Sequence, residues 1–398
     1  MTKKIFYILT CIVLVFSGGQ HAQAAENPFS IRNNQADMAF PITVDFHLEA
    51  TGQYPIQAAT LLYGTNALSC HENVSRKEFQ PAASTHVYLN WTWDLERSGA
   101  LPIGAQIWWQ WQLTDTQGNQ WSTPRQTLTV QDTAYDWHTV QAGKITLQWV
   151  EGGAYFGNTM LDIATASLER LVNEMGIAPP TPITIAIYPD VQGVKDALIH
   201  AAEWTGGVAF PEYGSIMTGI RPNEMSWARD VLPHELAHLV VDTLTFNCQG
   251  ITLPTWLSEG MAVYAEGNLS DHDQRILTKA LDEGTLPPLT TLTSGFSPYP
   301  DEASRSYAHS GAVIGYLAQT FGPQELNHLL ETIQQGHRVD EALQLVYGLD
   351  TYTLDRAWRA AWGYPDQLPE RQSVQAPTAT PIPTLALWNP LGTAATPT

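Results

Sequence analysis

Basic residues are scarce in this sequence, in which 19 lysines and arginines stand against 39 aspartates and glutamates. The formal net charge is −20 at pH 7. Because binding to phosphate groups needs a positive field, this charge argues against nucleic acid and against an anionic membrane as partners. The acidity does not by itself indicate a substrate class.

Cysteine is also scarce, with three residues in 398 positions. Cys11 lies in an N-terminal segment that we expect to be removed, so the mature chain would keep only Cys70 and Cys248. These two residues could form one disulfide in an oxidising compartment or remain as two free buried thiols. Both outcomes stay open, because we place the two cysteines in different domains.

No apolar run in the sequence is long enough to span a bilayer, which requires about 20 residues. The run at residues 5–16 follows two lysines and precedes an Ala-Gln-Ala segment at residues 22–24. This order is typical of a secretion signal with its cleavage site. We therefore expect residues 1–24 to be a signal peptide and the mature protein to be secreted or otherwise extracytoplasmic, without a membrane span. The sequence shows no internal repeat and no lipid-anchoring signal.

The chain is long and apolar enough to form two folded domains. It has 398 residues, 44% of them hydrophobic, whereas single domains average about 100 to 200 residues. We assign residues 27–132 to an N-terminal domain and residues 135–365 to a second domain. Residues 366–398 are rich in proline and threonine, which predicts a disordered tail.

The N-terminal domain is predicted to be all-β. Apolar and polar residues alternate over residues 87–93 and 107–113, as in half-buried strands, and residues 115–118 form a turn between two such runs. Several strands at this spacing are typical of an antiparallel sandwich of the immunoglobulin or fibronectin type III kind. The tryptophans would fill its core, and the alternative is a row of exposed aromatics that binds glycans or peptidoglycan.

The second domain is predicted to be α+β with a helical C-terminal part. A hairpin is expected around residues 141–144, an amphipathic helix at residues 157–175 and a buried strand at residues 182–188. Two predicted helices follow, which contain residues 234–238 and 256–260, and an all-helical end covers residues 304–362.

The most informative motif is His-Glu-Leu-Ala-His at residues 234–238. Two histidines four apart on a helix lie about 40° from each other around the axis, so both imidazoles can bind one ion. His234 and His238 are therefore candidate metal ligands. Glu235 lies beside this ion without binding it.

The third candidate ligand is Glu259, which follows in a Trp-Leu-Ser-Glu-Gly segment on the next predicted helix. Zinc prefers nitrogen and oxygen ligands in a tetrahedron, and a catalytic site uses three protein ligands and a water molecule. His234, His238 and Glu259 satisfy that requirement for one Zn²⁺ per chain. Glu266, seven positions further on and on nearly the same helix face, is the alternative ligand.

Residues on both sides of the histidine motif predict where its helix begins and which group could contact a histidine ring. We expect Asp230 to be the N-cap of the helix, with Pro233 in its first turn, where a missing N–H does no harm. Metal-bound histidines usually need an outer partner for the second ring nitrogen. Asp242 could be that partner or an ordinary exposed acid.

Together these motifs resemble the gluzincin metallopeptidases, and the stretch from about Trp137 to Trp362 is similar to the peptidase MA-like family within them. The resemblance implies a zincin-like catalytic domain in which the glutamate of the Trp-Leu-x-Glu-Gly segment is the third zinc ligand. That residue is Glu259 here. The 20 residues between His238 and Glu259 make the spacing slightly longer than the commonest one in gluzincins.

The resemblance also implies a mechanism. Zinc lowers the pKa of its bound water to about 7 and polarises a carbonyl, while a glutamate acts as general base and passes the proton to the leaving amine. Glu235 takes that role. Similar peptidases use a tyrosine near the metal to stabilise the oxyanion, which maps onto Tyr307, although a packed aromatic is the alternative. His309 points about 200° away around the same helix and can hardly share the role.

Glycine-flanked apolar runs at residues 206–210 and 214–219 precede the histidine motif. Similar peptidases have an edge strand in this place, which pairs with an extended substrate backbone. An ordinary internal hairpin is the alternative interpretation of the two runs.

The sequence thus predicts a secreted zinc metallopeptidase of gluzincin type that acts on peptide or protein substrates. One alternative is an extracellular binding or adhesion protein on a zincin scaffold, with the β-sandwich as its working surface. Another is a zinc hydrolase of non-peptide amide bonds in cell-wall material, because the metal chemistry is the same. The sequence gives no indication of the oligomeric state.

Overall fold

The computed structural model describes residues 28–179, 182–199, 206–267, 269–365 and 367–368. The expected signal peptide and most of the expected tail lie outside these residues. Within them, no helix combines the length and the apolar character needed to cross a membrane.

The N-terminal domain is one antiparallel sheet of seven strands. Strand β2 pairs with β1 and β4 through its first half and with β3 and β5 through its second half. The strands are β1 (Phe29–Ala39), β2 (Thr43–Thr65), β3 (Ser75–Phe79), β4 (Ser84–Asp94), β5 (Gln106–Asp115), β6 (Gln120–Ser122) and β7 (Gln126–Thr129).

Strand β2 changes its buried face in the middle. Its buried side chains have even numbers from Val44 to Ile56 and odd numbers from Ala59 to Tyr63, because the register against β5 shifts between Ile56 and Ala58. A shift of one residue exchanges the two faces of a strand. Both halves of β2 contribute to one core, so the sheet curls around it.

This domain confirms the predicted antiparallel β-rich character, whereas its likeness to immunoglobulin or fibronectin sandwiches remains a prediction. Trp109 and Trp111 are buried, and Trp91 and Trp93 pack partly buried against the same core. The tryptophans are therefore core residues, as the alternation predicts. The expected turn at residues 115–118 joins β5 to β6.

The second domain begins with a five-stranded sheet in the order β11-β12-β10-β9-β8. The three central strands are parallel, and both outer strands run antiparallel to their neighbours. The predicted hairpin, buried strand and glycine-flanked runs all form strands of this sheet, and β11 lies at its edge. The strands are β8 (His138–Ala142), β9 (Ile145–Trp149), β10 (Ile183–Tyr188), β11 (Gly207–Phe210) and β12 (Ser215–Gly219).

Helices cover this sheet and form the C-terminal part, as predicted, and the sheet and helices share one core. A long helix connects β9 to β10, and the two helices of the histidine and Trp-Leu-Ser-Glu-Gly motifs follow β12. The helices are α1 (Gly153–Met175), α2 (Val191–Ala197), α3 (Met225–Thr245), α4 (Thr255–Glu266), α5 (Asp271–Asp282), α6 (Pro300–Phe321), α7 (Gln324–Gln334), α8 (Val339–Tyr347) and α9 (Thr351–Ala361).

The predicted start of the histidine helix is wrong. Helix α3 begins at Met225, so Asp230 lies inside it and is not its N-cap. Pro233 consequently lies in the helix interior, where it cannot donate a backbone hydrogen bond to the preceding turn. The helix tolerates this loss because much of its length is buried in the core, including Leu232 and Leu236.

The two domains pack directly on each other. Ile103 of the N-terminal domain is buried with Tyr188 and Met217 of the second sheet, and its carbonyl accepts a hydrogen bond of 2.7 Å from the Ser215 hydroxyl. Cys70 and Cys248, whose pairing the sequence left open, form a disulfide between the domains.

Candidate metal centre

Helix α3 presents two imidazoles on one face. His234 and His238 are one turn apart, and their Nε2 atoms lie 3.1 Å from each other. Leu236 and Val240 are fully buried in the core of the second domain. Their burial fixes the rotation of the helix and therefore the direction in which the histidines point.

Helix α4 brings a carboxylate to the same point. Its first turn is anchored by Trp256 and Leu257, both fully buried. Oε2 of Glu259 lies 3.3 Å from Nε2 of His234 and 3.2 Å from Nε2 of His238. The three atoms therefore form a nearly equilateral triangle, and these three residues are a group that could hold a metal ion.

The edges of this triangle, 3.1 to 3.3 Å, lie at or just below the spacing of ligands around a tetrahedral zinc ion. Ligands at about 2.0 to 2.2 Å from a tetrahedral zinc ion lie about 3.3 to 3.6 Å from one another. Oε2 of Glu259 is buried and accepts no well-formed hydrogen bond from the described residues, so it is free to bind an ion. The three side chains are 14 to 20% exposed, which leaves solvent access for a water molecule or a substrate.

Each histidine has a partner on its second ring nitrogen. Nδ1 of His234 lies 2.7 Å from a carboxylate oxygen of Glu266, and Nδ1 of His238 lies 3.1 Å from the Ser258 hydroxyl. Such partners orient the ring and set its tautomer. Glu266 therefore contacts Nδ1 of His234, whereas the candidate ligand atoms surround Nε2. This position does not match the alternative expectation that Glu266 is the third ligand.

Ser258 was not predicted as a partner of a histidine ring, and Asp242 was the residue proposed for that role. Asp242 is partly buried on α3, and burial raises its pKa, but no hydrogen bond links it to either histidine within the described structure. The sequence feature that could have indicated Ser258 is its position directly before Glu259 on the same short helix.

The imidazoles and carboxylates of this centre shift one another's pKa. Burial disfavours the charge on His234, but the carboxylates of Glu259 and Glu266 outweigh it and raise the pKa of His234 to about 10. Burial likewise works against the charge on Glu259, but the two imidazoles lower the pKa of Glu259 to about 2. The raised pKa of His234 means that a metal cation would have to displace a proton from this ring near neutral pH.

Glu235 points toward the edge strand. Burial raises the pKa of its carboxyl group, against the attraction of the two imidazoles, and the group accepts a hydrogen bond from the backbone N–H of Ala209. Gly207 lies against it, since a Cβ atom there would be 3.0 Å from Oε1 of Glu235. Strand β11 thus holds the carboxyl group beside the three candidate ligands.

Tyr307 on α6 lies beside His234. Its ring centroid is 6.2 Å from that of His234, and Phe296 packs edge-on against it at 5.0 Å. Burial, together with the charges of Glu259 and Glu235, raises the pKa of Tyr307 to about 12. The phenol therefore keeps its proton near neutral pH and remains a hydrogen-bond donor.

Gly260 allows α6 to approach the ligand helix. A Cβ atom at this position would lie 2.7 Å from the carbonyl oxygen of Ser310 and 2.8 Å from the side chain of Ile314. Ser310 is one turn after Tyr307 on α6. The glycine of the Trp-Leu-Ser-Glu-Gly segment thus places Tyr307 near the residue that precedes it, Glu259.

His309 takes no part in this centre. It is fully buried on the other side of α6, where its ring lies 4.5 Å from that of Trp358 and Nε2 lies 3.5 Å from a carboxylate oxygen of Asp355. Asp355 is bound at 2.8 Å by the buried Arg359. These residues stabilise the helical end, in agreement with the prediction that His309 points away from Tyr307.

The chain matches a known protein family over most of its second domain. The family model of the Peptidase MA superfamily matches residues 163–363, which include all of the residues of this centre. No curated protein sequence matches the chain.

Among solved structures, the sporulation control protein Spo0M from Bacillus subtilis is similar at 11% identity and a TM-score of 0.18. The match covers 35% of this chain and 56% of the Spo0M chain. A likeness this low supports no conclusion about fold or function.

Proposed function

Because the chain belongs to the Peptidase MA superfamily, we propose that it is a secreted, zinc-dependent metallopeptidase of the gluzincin type. The family supports a metallopeptidase-like function. The observation that carries the more specific proposal is the triangle of His234, His238 and Glu259, with Glu235 next to it on the same helix.

The three triangle residues would hold one zinc ion per chain. When bound, zinc would polarise the scissile carbonyl group and make a water molecule more acidic. Glu266 and Ser258 keep the two imidazoles oriented toward the ion through their Nδ1 contacts.

Glu235 is the general base in this proposal. It takes a proton from the attacking water and later delivers it to the nitrogen of the leaving amine, so that the C–N bond breaks without a free amide anion. Its raised pKa suits a group that both accepts and releases a proton. The contacts with Ala209 and Gly207 hold the carboxyl group in place between the two steps.

Tyr307 is the proposed oxyanion donor. Negative charge develops on the carbonyl oxygen during water attack, and a fixed hydrogen-bond donor stabilises it. The high pKa of the phenol keeps the donor protonated during this step.

Strand β11 is the proposed site for the substrate backbone. Within the described residues it pairs on one side only, with β12, and its Gly207 lies against the side chain of Glu235. An extended peptide can add to such an edge by main-chain hydrogen bonds. This geometry favours peptide or protein substrates.

The disulfide between Cys70 and Cys248 supports the extracytoplasmic part of the proposal. Disulfides persist in oxidising compartments and are rare in the cytosol. The N-terminal segment with its charged, apolar and small-residue parts is consistent with export to such a compartment.

The test uses the full mature chain. We expect metal analysis to find about one zinc per chain, the content of a single three-ligand site. Glu235→Gln should keep that zinc and lower peptide hydrolysis by about 10²- to 10⁴-fold, the usual contribution of a general base. Asp230→Asn removes an exposed acid from the same helix and should match the parent in both measurements.

Three outcomes would contradict the proposal. Undiminished hydrolysis by Glu235→Gln would show that Glu235 is not the general base. Release of products from cell-wall fragments, but not from a peptide library, would identify an amide hydrolase of another class. Binding of an extracellular target that Glu235→Gln leaves unchanged, without any hydrolysis, would identify a binding protein on a peptidase scaffold.

A further inference from the structure

The loop between β2 and β3 reaches from the N-terminal domain to the end of the edge strand. We name residues 66–74 the anchor loop. The backbone N–H of Leu68 donates a 2.7 Å hydrogen bond to the carbonyl of Glu212, and the hydroxyl groups of Thr65 and Tyr213 lie 3.4 Å apart. Glu212 and Tyr213 belong to the short 3₁₀ turn that directly follows β11.

A covalent bond joins the same loop to the zinc-ligand helix. Cys70 forms its disulfide with Cys248, three residues after the end of α3 at Thr245. The anchor loop therefore holds two elements of the proposed catalytic centre at once, the end of the substrate strand and the end of the helix that carries both histidines.

The anchor loop is itself fixed to the N-terminal sheet. Asn66 and Gln106 form two hydrogen bonds, of 3.0 and 2.9 Å. Near the other end, Glu72 accepts a 2.6 Å hydrogen bond from Arg125, whose guanidinium group stacks 3.7 Å above the ring of Trp108. The position of the loop is thus set by the N-terminal domain.

Strand β11 has few contacts within its own domain that fix its position. It is four residues long, it is only partly buried along its length, and its ladder of hydrogen bonds runs to β12 alone among the described strands. From its own domain, the turn after β11 receives a hydrogen bond of 3.3 Å from the Thr243 hydroxyl to the carbonyl of Pro211. The contacts of the anchor loop act on this same turn from the opposite domain.

We infer that the N-terminal domain is a positioning part of the catalytic unit, which holds β11 through the anchor loop in the place where substrate binds. This inference rests on the proposed function for its effect on catalysis. Because Ala209 and Gly207 of β11 also contact Glu235, a displaced strand would disturb both the substrate backbone and the general base.

The experiment removes two of these attachments, the disulfide and the Leu68 hydrogen bond, in the full mature chain. Cys70→Ser with Cys248→Ser removes the covalent bond, and Leu68→Pro removes the N–H that Glu212 accepts, since proline has no backbone donor. Leu68→Ala in the same disulfide-free background is the matched control, because it shortens the side chain and keeps the N–H.

Hydrogen exchange of the backbone amides is the first measurement. We expect the Leu68→Pro triple variant to exchange faster than its control at residues 207–213, with unchanged exchange in β10 and in the histidine part of α3. Zinc content should equal that of the parent. Equal exchange at residues 207–213 in the variant and its control would overturn the inference.

Kinetics is the second measurement. A misplaced edge strand should raise KM for an extended peptide more than it lowers kcat, with about a tenfold loss in kcat/KM. A general loss of stability would lower the active fraction, and thus kcat, without changing KM. An unchanged KM would therefore count against a positioning role.

Two further results keep the inference separate from other failures. If the parent binds zinc and cleaves no peptide, the proposed function fails, while hydrogen exchange still decides whether the anchor loop holds β11. If the triple variant does not fold, exchange is compared in the folded parent before and after reduction of the exposed disulfide with TCEP. Faster exchange confined to residues 207–213 supports the inference, and no change there overturns it.

Discussion

The carboxylate of Glu266 lies 2.7 Å from Nδ1 of His234, on the side of the imidazole opposite to Nε2. Nε2 is the nitrogen that faces His238 and Glu259. Glu266 therefore acts on the proposed metal ion through the histidine, by fixing the orientation of the ring and increasing its basicity.

Glu266→Gln should weaken zinc binding by about 10- to 100-fold without abolishing it, the usual effect of losing an outer partner of a metal ligand. Competition with a chelator of known zinc affinity measures this change. Glu283→Gln, at an exposed position after α5, is the control and should bind zinc as the parent does. Complete loss of zinc from Glu266→Gln, with zinc retained by Glu259→Gln, would reverse the two assignments.

Tyr307→Phe should lower kcat by about 10²- to 10³-fold, as expected when one oxyanion donor is lost. The ring and its packing against Phe296 are kept, so zinc content and thermal stability should remain those of the parent. Steady-state kinetics together with metal analysis checks both statements. Parent-like turnover would leave Tyr307 as a packing residue.

Gly207→Ala should lower activity while leaving the zinc ligands intact. The added Cβ would lie 3.0 to 3.2 Å from the carboxyl group of Glu235, which must move by a few tenths of an ångström. Misplacing a catalytic group on this scale should reduce kcat/KM by about tenfold. Ala209→Gly, which changes the same strand without crowding Glu235, is the comparison.

Zinc binding should become tighter as pH rises. The pKa of His234 is about 10 in the metal-free protein, above its ordinary value of 6.5, so this ring is protonated at neutral pH. Zinc binds only the neutral imidazole, and binding must displace that proton. Affinity should therefore rise by about tenfold per pH unit between pH 7 and 9, with about one proton released per zinc. Calorimetry in two buffers of different ionisation enthalpy measures the proton count, and a count of zero contradicts the assignment.

The sequence predicts that His234, His238 and Glu259 lie together, and the structure groups them, because part of this geometry is local. His234 and His238 are brought together by the helix repeat alone, and Glu259 lies on the next helix, which carries one other acid, Glu266. The alternating tryptophans of the N-terminal domain are predictable for the same reason, since the period of a strand is also local.

The contacts that the sequence does not reveal depend on packing between distant segments. The pairing of Cys70 with Cys248 spans 178 residues and requires the two domains to be in contact. The start of α3 at Met225 was hidden by a local capping signal at Asp230 that core packing overrides. The Ser258 and Glu266 contacts with the histidines depend on the crossing of α3 and α4, which hydrophobic pattern alone does not define.

Because residue 260 is a glycine, the backbones of α4 and α6 pack directly on each other, and this packing sets the distance between Glu259 and Tyr307. Helix α6 rests on α4 at a place where the backbone itself is the contact surface, within 2.7 Å of where a methyl group would lie. Any bulkier residue there would act as a spacer and would move Tyr307 outward together with its whole helix. The separation of Glu259 and Tyr307 is therefore set where these two helices touch.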